Sequence, residues 1–132
     1  MTGGANGIGE AIARQLAADG YRITLWDLDT AALDRAAAAL RASGAQVGAR
    51  SVDIASLDGV RSAMNELVAE AGTPDVLVNC AGIHRTGSIL ESPPEDFDVV
   101  LRVNVLGTFN CCHVAVPLMV ARQRGSIVNI AL

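Results

Sequence analysis

The chain opens on Thr2-Gly3-Gly4-Ala5-Asn6-Gly7-Ile8-Gly9, a glycine cluster that runs straight into a helical apolar pattern. Ile8, Ile12 and Leu16 lie four residues apart, which places them on one helix face. Gly20 supplies a stop, so a helix is expected from about residue 7 to 19. Glycines at 3, 7 and 9 remove side chains where a backbone must come close to something. The free N–H groups and the positive end of the helix behind them suit an anionic phosphate. The same cluster also reads as a tight turn with no ligand.

Working outward, the next elements alternate. Arg22 to Trp26 reads as a short strand, and Asp27 closes it 18 residues after Gly9. A carboxylate there is where a dinucleotide fold meets the adenosine ribose hydroxyls. It also suits a plain turn cap shared with Asp29. Asp29 or Thr30 can cap an Ala-rich helix that ends near Ser43-Gly44, and Gln46 to Val52 is a weak strand closed by Asp53-Ile54. Asp53 there could accept from an adenine amino group or help cap the helix that starts near Ser56. That helix runs to Ala71-Gly72 and Thr73-Pro74 breaks it. Val76-Leu77-Val78 is a buried strand, and Asn79-Cys80-Ala81-Gly82 ends it, either as an ordinary exit to a loop or with small residues that let a cofactor lie flat against the backbone and an Asn79 amide that can tie neighbouring strands together. A loop to Pro94 precedes helical stretches at about 95–103 and 105–122, the second expected to kink or shorten at Pro117. Ser126 to Ile130 is a last strand. This order predicts an α/β domain, a doubly wound parallel sheet covered by helices on both faces.

Composition narrows the chemistry. The ten basic residues are all Arg, so a catalytic lysine is excluded, and Tyr21 is the one tyrosine. Net charge is −4, with no basic stripe to suit a nucleic acid. No apolar run in the sequence reaches the roughly 18 residues of a membrane span, and no membrane partner is expected. Cys80, Cys111 and Cys112 lack the spacing of a disulfide framework or zinc knuckle, which fits a reducing, cytoplasmic setting. No His, Asp and Glu cluster has metal spacing, so no metal is expected. Buried thiols are the expectation for Cys111 and Cys112, and a surface-loop histidine for His84.

Together these residues resemble the short-chain dehydrogenase/reductase family. Thr2 to Gly9 matches its Thr-Gly-x-x-x-Gly-x-Gly motif, and Asn79-Cys80-Ala81-Gly82 matches its Asn-Asn-Ala-Gly motif with Cys80 in place of the second Asn. Asn104, in Val103-Asn104-Val105-Leu106-Gly107, matches the Asn of the family's catalytic tetrad, and Gly125 to Ile130 matches its fifth strand. The resemblance implies a Rossmann-like NAD(P)-binding domain over 1–132. It implies hydride transfer between a nicotinamide cofactor and a small alcohol or ketone, and a homo-oligomer, dimer or tetramer. It assigns cofactor contacts to Gly3, Asn6, Gly7, Ile8, Gly9, Asp27, Leu28, Asp53, Ile54, Asn79, Ala81 and Gly82, and a catalytic role to Asn104. Asp27 would repel a 2′-phosphate, and no Arg sits in the glycine loop or directly after Asp27, so NAD is expected over NADP.

The departures bear on activity. The family's Ser is expected about two residues past Ile130, where Leu132 stands, and its Tyr-x-x-x-Lys pair would come later still. Tyr21 lies at the opposite end of the sheet. Of the tetrad only Asn104 is present, so the chain alone is expected to be inactive. The first strand, central in the order 3-2-1-4-5, is largely missing, and its neighbours should flank an empty slot about 10 Å wide. The chain is therefore expected to be an incomplete fold, part of a longer enzyme or a mis-bounded reading frame. The competing expectation is a catalytically inactive dinucleotide-binding or assembly module. Phe97, Leu101, Phe109 and Val116 could form a subunit interface or join the core.

Overall fold

The computed structural model describes residues 1–131, so the expectation placed on Leu132 lies outside the described residues. The elements are α1 (Gly7–Ala18), β1 (Ile23–Asp27), α2 (Thr30–Ala42), β2 (Val47–Ser51), α3 (Leu57–Ala71), β3 (Val76–Asn79), α4 (Pro94–Leu101), a π-helical turn (Arg102–Gly107), α5 (Thr108–Ala121) and β4 (Ser126–Asn129). β1 pairs with β2 and β3 with β4, both parallel. Thr2 bridges Trp26 of β1 and Asn79 of β3. The order across the sheet is therefore β2, β1, Thr2, β3, β4, the Rossmann-like α/β arrangement.

Two apolar layers hold the sheet. On one face Leu33, Ala36, Ala37 and Leu40 of α2 pack with Ala13 of α1 on Ile23 and Leu25. The alanines let this helix lie close to the strands. On the other face Val60 and Met64 of α3 meet Cys111, Ala115 and Met119 of α5 over Trp26 and Leu77. Burial on both faces is why the strands carry apolar runs rather than strict alternation.

Three expectations change. The slot is not empty along its whole length. Met1 Nα donates to Thr24 O at 2.6 Å, Trp26 N–H to Met1 O at 2.8 Å and Thr2 N–H to Val78 O at 2.9 Å. Two residues thus supply ladder bonds to both neighbours at the carboxyl end. Second, the two helical stretches are continuous: residues 94–121 form one 28-residue helix through the π turn. By length and composition alone it could cross a membrane, which the sequence was expected not to offer. Within this fold one face packs against α3 and the sheet. Third, α5 is not cut short at Pro117 but continues to Ala121. Pro117 and His113, whose carbonyl loses its bond, are both exposed, where water can replace the missing donor.

Candidate functional site

The carboxyl ends of β1, β3 and β4 and the start of α1 surround a cleft of about 620 Å³. Its shape begins with the glycine loop. Gly9 packs against the loop so closely that a Cβ there would collide with the Gly3 carbonyl and lie 3.2 Å from Gly4 Cα. Gly7 stands at φ +50° with open space beside it, the left-handed region that favours glycine. Thr2 fixes the loop to the far strand: its Oγ1 accepts from Cys80 N–H and Ala81 N–H, both at 3.1 Å.

The amino end of α1 is left uncapped. Asn6 sits at the cap position, yet its side chain makes no capping bond. The first helical bond is Glu10 N–H to Asn6 O. The N–H groups of Gly7, Ile8 and Gly9 have no partner among the described residues, and all three residues line the cleft. Asn6 is held elsewhere: Arg35 Nη2 of α2 donates to Asn6 Oδ1 at 2.7 Å and to Ala5 O at 3.2 Å. Sequence reasoning missed Arg35, because 29 residues separate it from Asn6 and nothing local marks the pair. Arg35 thus reaches the glycine loop from α2, but it is directed at Ala5 and Asn6 and does not line the cleft.

Asp27 serves two structural bonds and still faces the cleft. Its Oδ2 accepts from Ala5 N–H at 3.3 Å and its Oδ1 from Asp29 N–H at 3.2 Å. Leu28 beside it is 62% exposed at the cleft rim. Asp53 Oδ1 accepts from Ala55 N–H at 2.9 Å, while the cap of α3 is Ser56, accepting from Gly59 N–H at 3.1 Å. Asp53 and Ile54 border the cleft. On the opposite wall Ala81 and Gly82 present almost no side chain.

Asn104 sits in the π turn, where the helix carries an extra residue. Such π-helical insertions are frequent at functional sites. Its amide forms a two-bond clamp with the loop after β3: Ile83 N–H donates to Oδ1 and Nδ2 donates to Ile83 O, each at 2.8 Å. Its backbone carbonyl accepts from Thr108 Oγ1 at 2.9 Å. Asn104 and Thr108 both border the cleft.

Asn79 is the one residue of the expected set that does not line the cleft. It is buried, and its Nδ2 donates to Asn129 Oδ1 at 2.8 Å and to Cys112 Sγ at 3.4 Å, tying β3 to β4. Asn110, which sequence reasoning also passed over, is buried on α5 and donates to Ile54 O at 2.9 Å. Nothing in the local pattern of α5 marks that bond, since the two residues lie 56 apart. Cys111 is fully buried, which pushes its thiol up to about 12 and leaves it inert. Tyr21 lies far from this cleft, beside a second cavity at the amino ends of β1 and β3.

The cleft suits a dinucleotide on its own geometry. It offers unpartnered N–H groups at a helix start, a carboxylate at the adjoining strand end and a wall of small residues opposite. Comparison with known proteins agrees. The meso-2,3-butanediol dehydrogenase of Serratia marcescens is 37% identical over 131 residues, 99% of this chain and 51% of that protein. A short chain dehydrogenase/reductase from Burkholderia phymatum, solved with NAD, superposes with a TM-score of 0.94 at 32% identity, covering 98% of this chain and 46% of that one. A metagenomic short-chain oxidoreductase solved with NADP gives 0.92 at 31%, covering 98% and 59%. The chain spans between 22% and 54% of the length of the curated relatives it matches. The short chain dehydrogenase family pattern matches residues 1–131, and the chain belongs to that family.

Proposed function

We propose that the chain is the dinucleotide-binding part of an NAD(P)-dependent oxidoreductase that acts on a small alcohol or ketone, and that it takes NAD in preference to NADP. The single observation that carries this reading is the uncapped start of α1 in a cleft shared with Asp27. The N–H groups of Gly7, Ile8 and Gly9 hold the pyrophosphate. The Asp27 carboxylate, already fixed by Ala5 and Asp29, accepts from the adenosine ribose hydroxyls and disfavours a phosphate there. Ala81 and Gly82 let the cofactor lie against the backbone. When bound, the nicotinamide supplies or receives the hydride. Asn104 holds the Ile83 backbone beside the reaction region and supports proton transfer there.

The alcohol or ketone substrate is supported by the dehydrogenase name of the Serratia relative. The 132 residues contain no Lys, and the one Tyr borders the other cavity, so the reading for this polypeptide alone is binding without turnover. A second copy as partner is supported by the long helix, where Phe97 is 65%, Val105 61%, Phe109 58% and Val120 67% exposed. In isolation these are not core positions. A homo-oligomer would cover them.

The test is a fluorescence titration of the chain with NADH and with NADPH. The expected result is NADH tighter by about tenfold, equal to about 1.4 kcal/mol, with the preference lost in Asp27→Ala. Tighter binding of NADPH by the unaltered chain would contradict the cofactor assignment.

A further inference from the structure

Ile54 borders the cleft just past the end of β2, the edge strand of the sheet. The last ladder bond there runs from Val52 N–H to Asp27 O at 3.1 Å. Residues 53–56 then turn into α3. Asp53 Oδ1 accepts from Ala55 N–H at 2.9 Å, and Asp53 O from Ser56 N–H at 3.1 Å. Both bonds lie inside the turn. They fix its shape, not where it stands in the cleft.

The long helix supplies what the turn lacks. Asn110 is 2% exposed, and its Nδ2 donates to Ile54 O at 2.9 Å. An amide buried in an apolar layer is costly unless it is paired. Ile54 O has no other donor among the described residues. Gly107 lies three residues earlier, on the same helix face. A Cβ on Gly107 would stand 2.5 Å from Ile54 Cδ1 and 2.6 Å from Ile54 Cγ1. One helix face therefore holds the backbone of Ile54 through Asn110 and makes room for its side chain at Gly107. The same helix carries Asn104 and Thr108 on the wall shared with Gly82 and Ile83. The Asn110 bond thus ties the two walls of the cleft to each other.

We infer that Asn110, with the space left at Gly107, is a positioning residue for the adenine end of the cleft. It rests on the cofactor reading proposed above, with the adenine amino group donating to Asp53. Asp53 Oδ2 has no partner among the described residues and is free for that bond. Asn110 touches no part of the cofactor. It acts by setting Asp53 and Ile54 at the distance from the glycine loop that a dinucleotide spans. Support of this kind from outside the contact residues decides how closely a site fits its ligand.

The test compares NADH with reduced nicotinamide hypoxanthine dinucleotide, which carries a carbonyl where adenine has its amino group. A general loss of stability weakens both ligands by the same factor and leaves their ratio alone. A displaced Asp53 removes the ratio. The unaltered chain should favour NADH by about tenfold, the scale of one hydrogen bond to a charged group. In Asn110→Leu, similar in size and without a donor, the preference should fall to within about twofold. Gly107→Ala keeps the Asn110 bond but displaces the Ile54 side chain, and should leave a preference of about threefold. Where Asn110→Leu does not fold, Gly107→Ala decides alone. A tenfold preference kept in the variants would overturn the inference and leave the cofactor reading standing. An unaltered chain that binds neither dinucleotide, or both alike, would remove the reading of the adenine end and the inference with it.

Discussion

The amino ends of α1 and α2 lie on the same rim of the sheet and are finished in opposite ways. At α2, Asp29 accepts from Ala32 N–H at 2.9 Å, so the helix satisfies part of its own start. At α1, Asn6 has a side chain able to do the same, but Arg35 holds it aside. α3 follows the pattern of α2, with Ser56 as its cap. Only the uncapped end opens on the cleft through Gly7, Ile8 and Gly9. The comparison teaches that a polar cap residue does not by itself make a cap. What an end is for depends on where its N–H groups point and on what else holds the capping side chain. Of these three helix starts, the two that satisfy themselves are scaffold, and the one left open beside the cleft is the place for an anion.

The largest effect should come from Gly9→Ala. Its methyl meets the Gly3 carbonyl, backbone that has no flexible side chain to yield. Overpacking of this kind costs about 1–3 kcal/mol, and the loop must shift away from its anion-binding shape. Urea denaturation should show that loss. NADH titration of the folded fraction should show affinity weakened at least about 100-fold, near 2.7 kcal/mol. A variant that binds NADH normally would erase the distinction between the two helix starts. The smaller effect belongs to Asp29→Ala, which removes the cap of α2. It should lower stability by about 1 kcal/mol and leave NADH affinity within about twofold. A large loss of NADH binding there would mean that α2 shares in the site.

Much of this was legible in the chain. The period-four apolar pattern of α1, the caps at Asp29 and Ser56 and the apolar run of β3 are local signals, and each produced the element it announced. The glycine loop, Asp27 and Asp53 meet at one cleft because strand ends in a parallel sheet face the same way. What escaped was non-local. Arg35 reaches Asn6 across 29 residues, and the Asn104 amide reaches Ile83 across 21. No spacing rule encodes such pairs. Asn79 was placed at the correct strand end, and of the two roles read for it, tying neighbouring strands and meeting the cofactor, its amide takes the first with Asn129. The join of two helical stretches through a π turn was hidden for another reason. A single inserted residue breaks the 3.6-residue period without breaking the helix.

The central claim is that the open start of α1 holds the cofactor's pyrophosphate, and amide chemical shifts read those N–H groups directly. In a titration of the ¹⁵N-labelled chain with NADH, the amides of Gly7, Ile8 and Gly9 should move furthest. Those of Ala32 and Gly59, already bonded to Asp29 and Ser56, should stay near their free positions. If NADH binds and the three α1 amides do not move, the account is wrong.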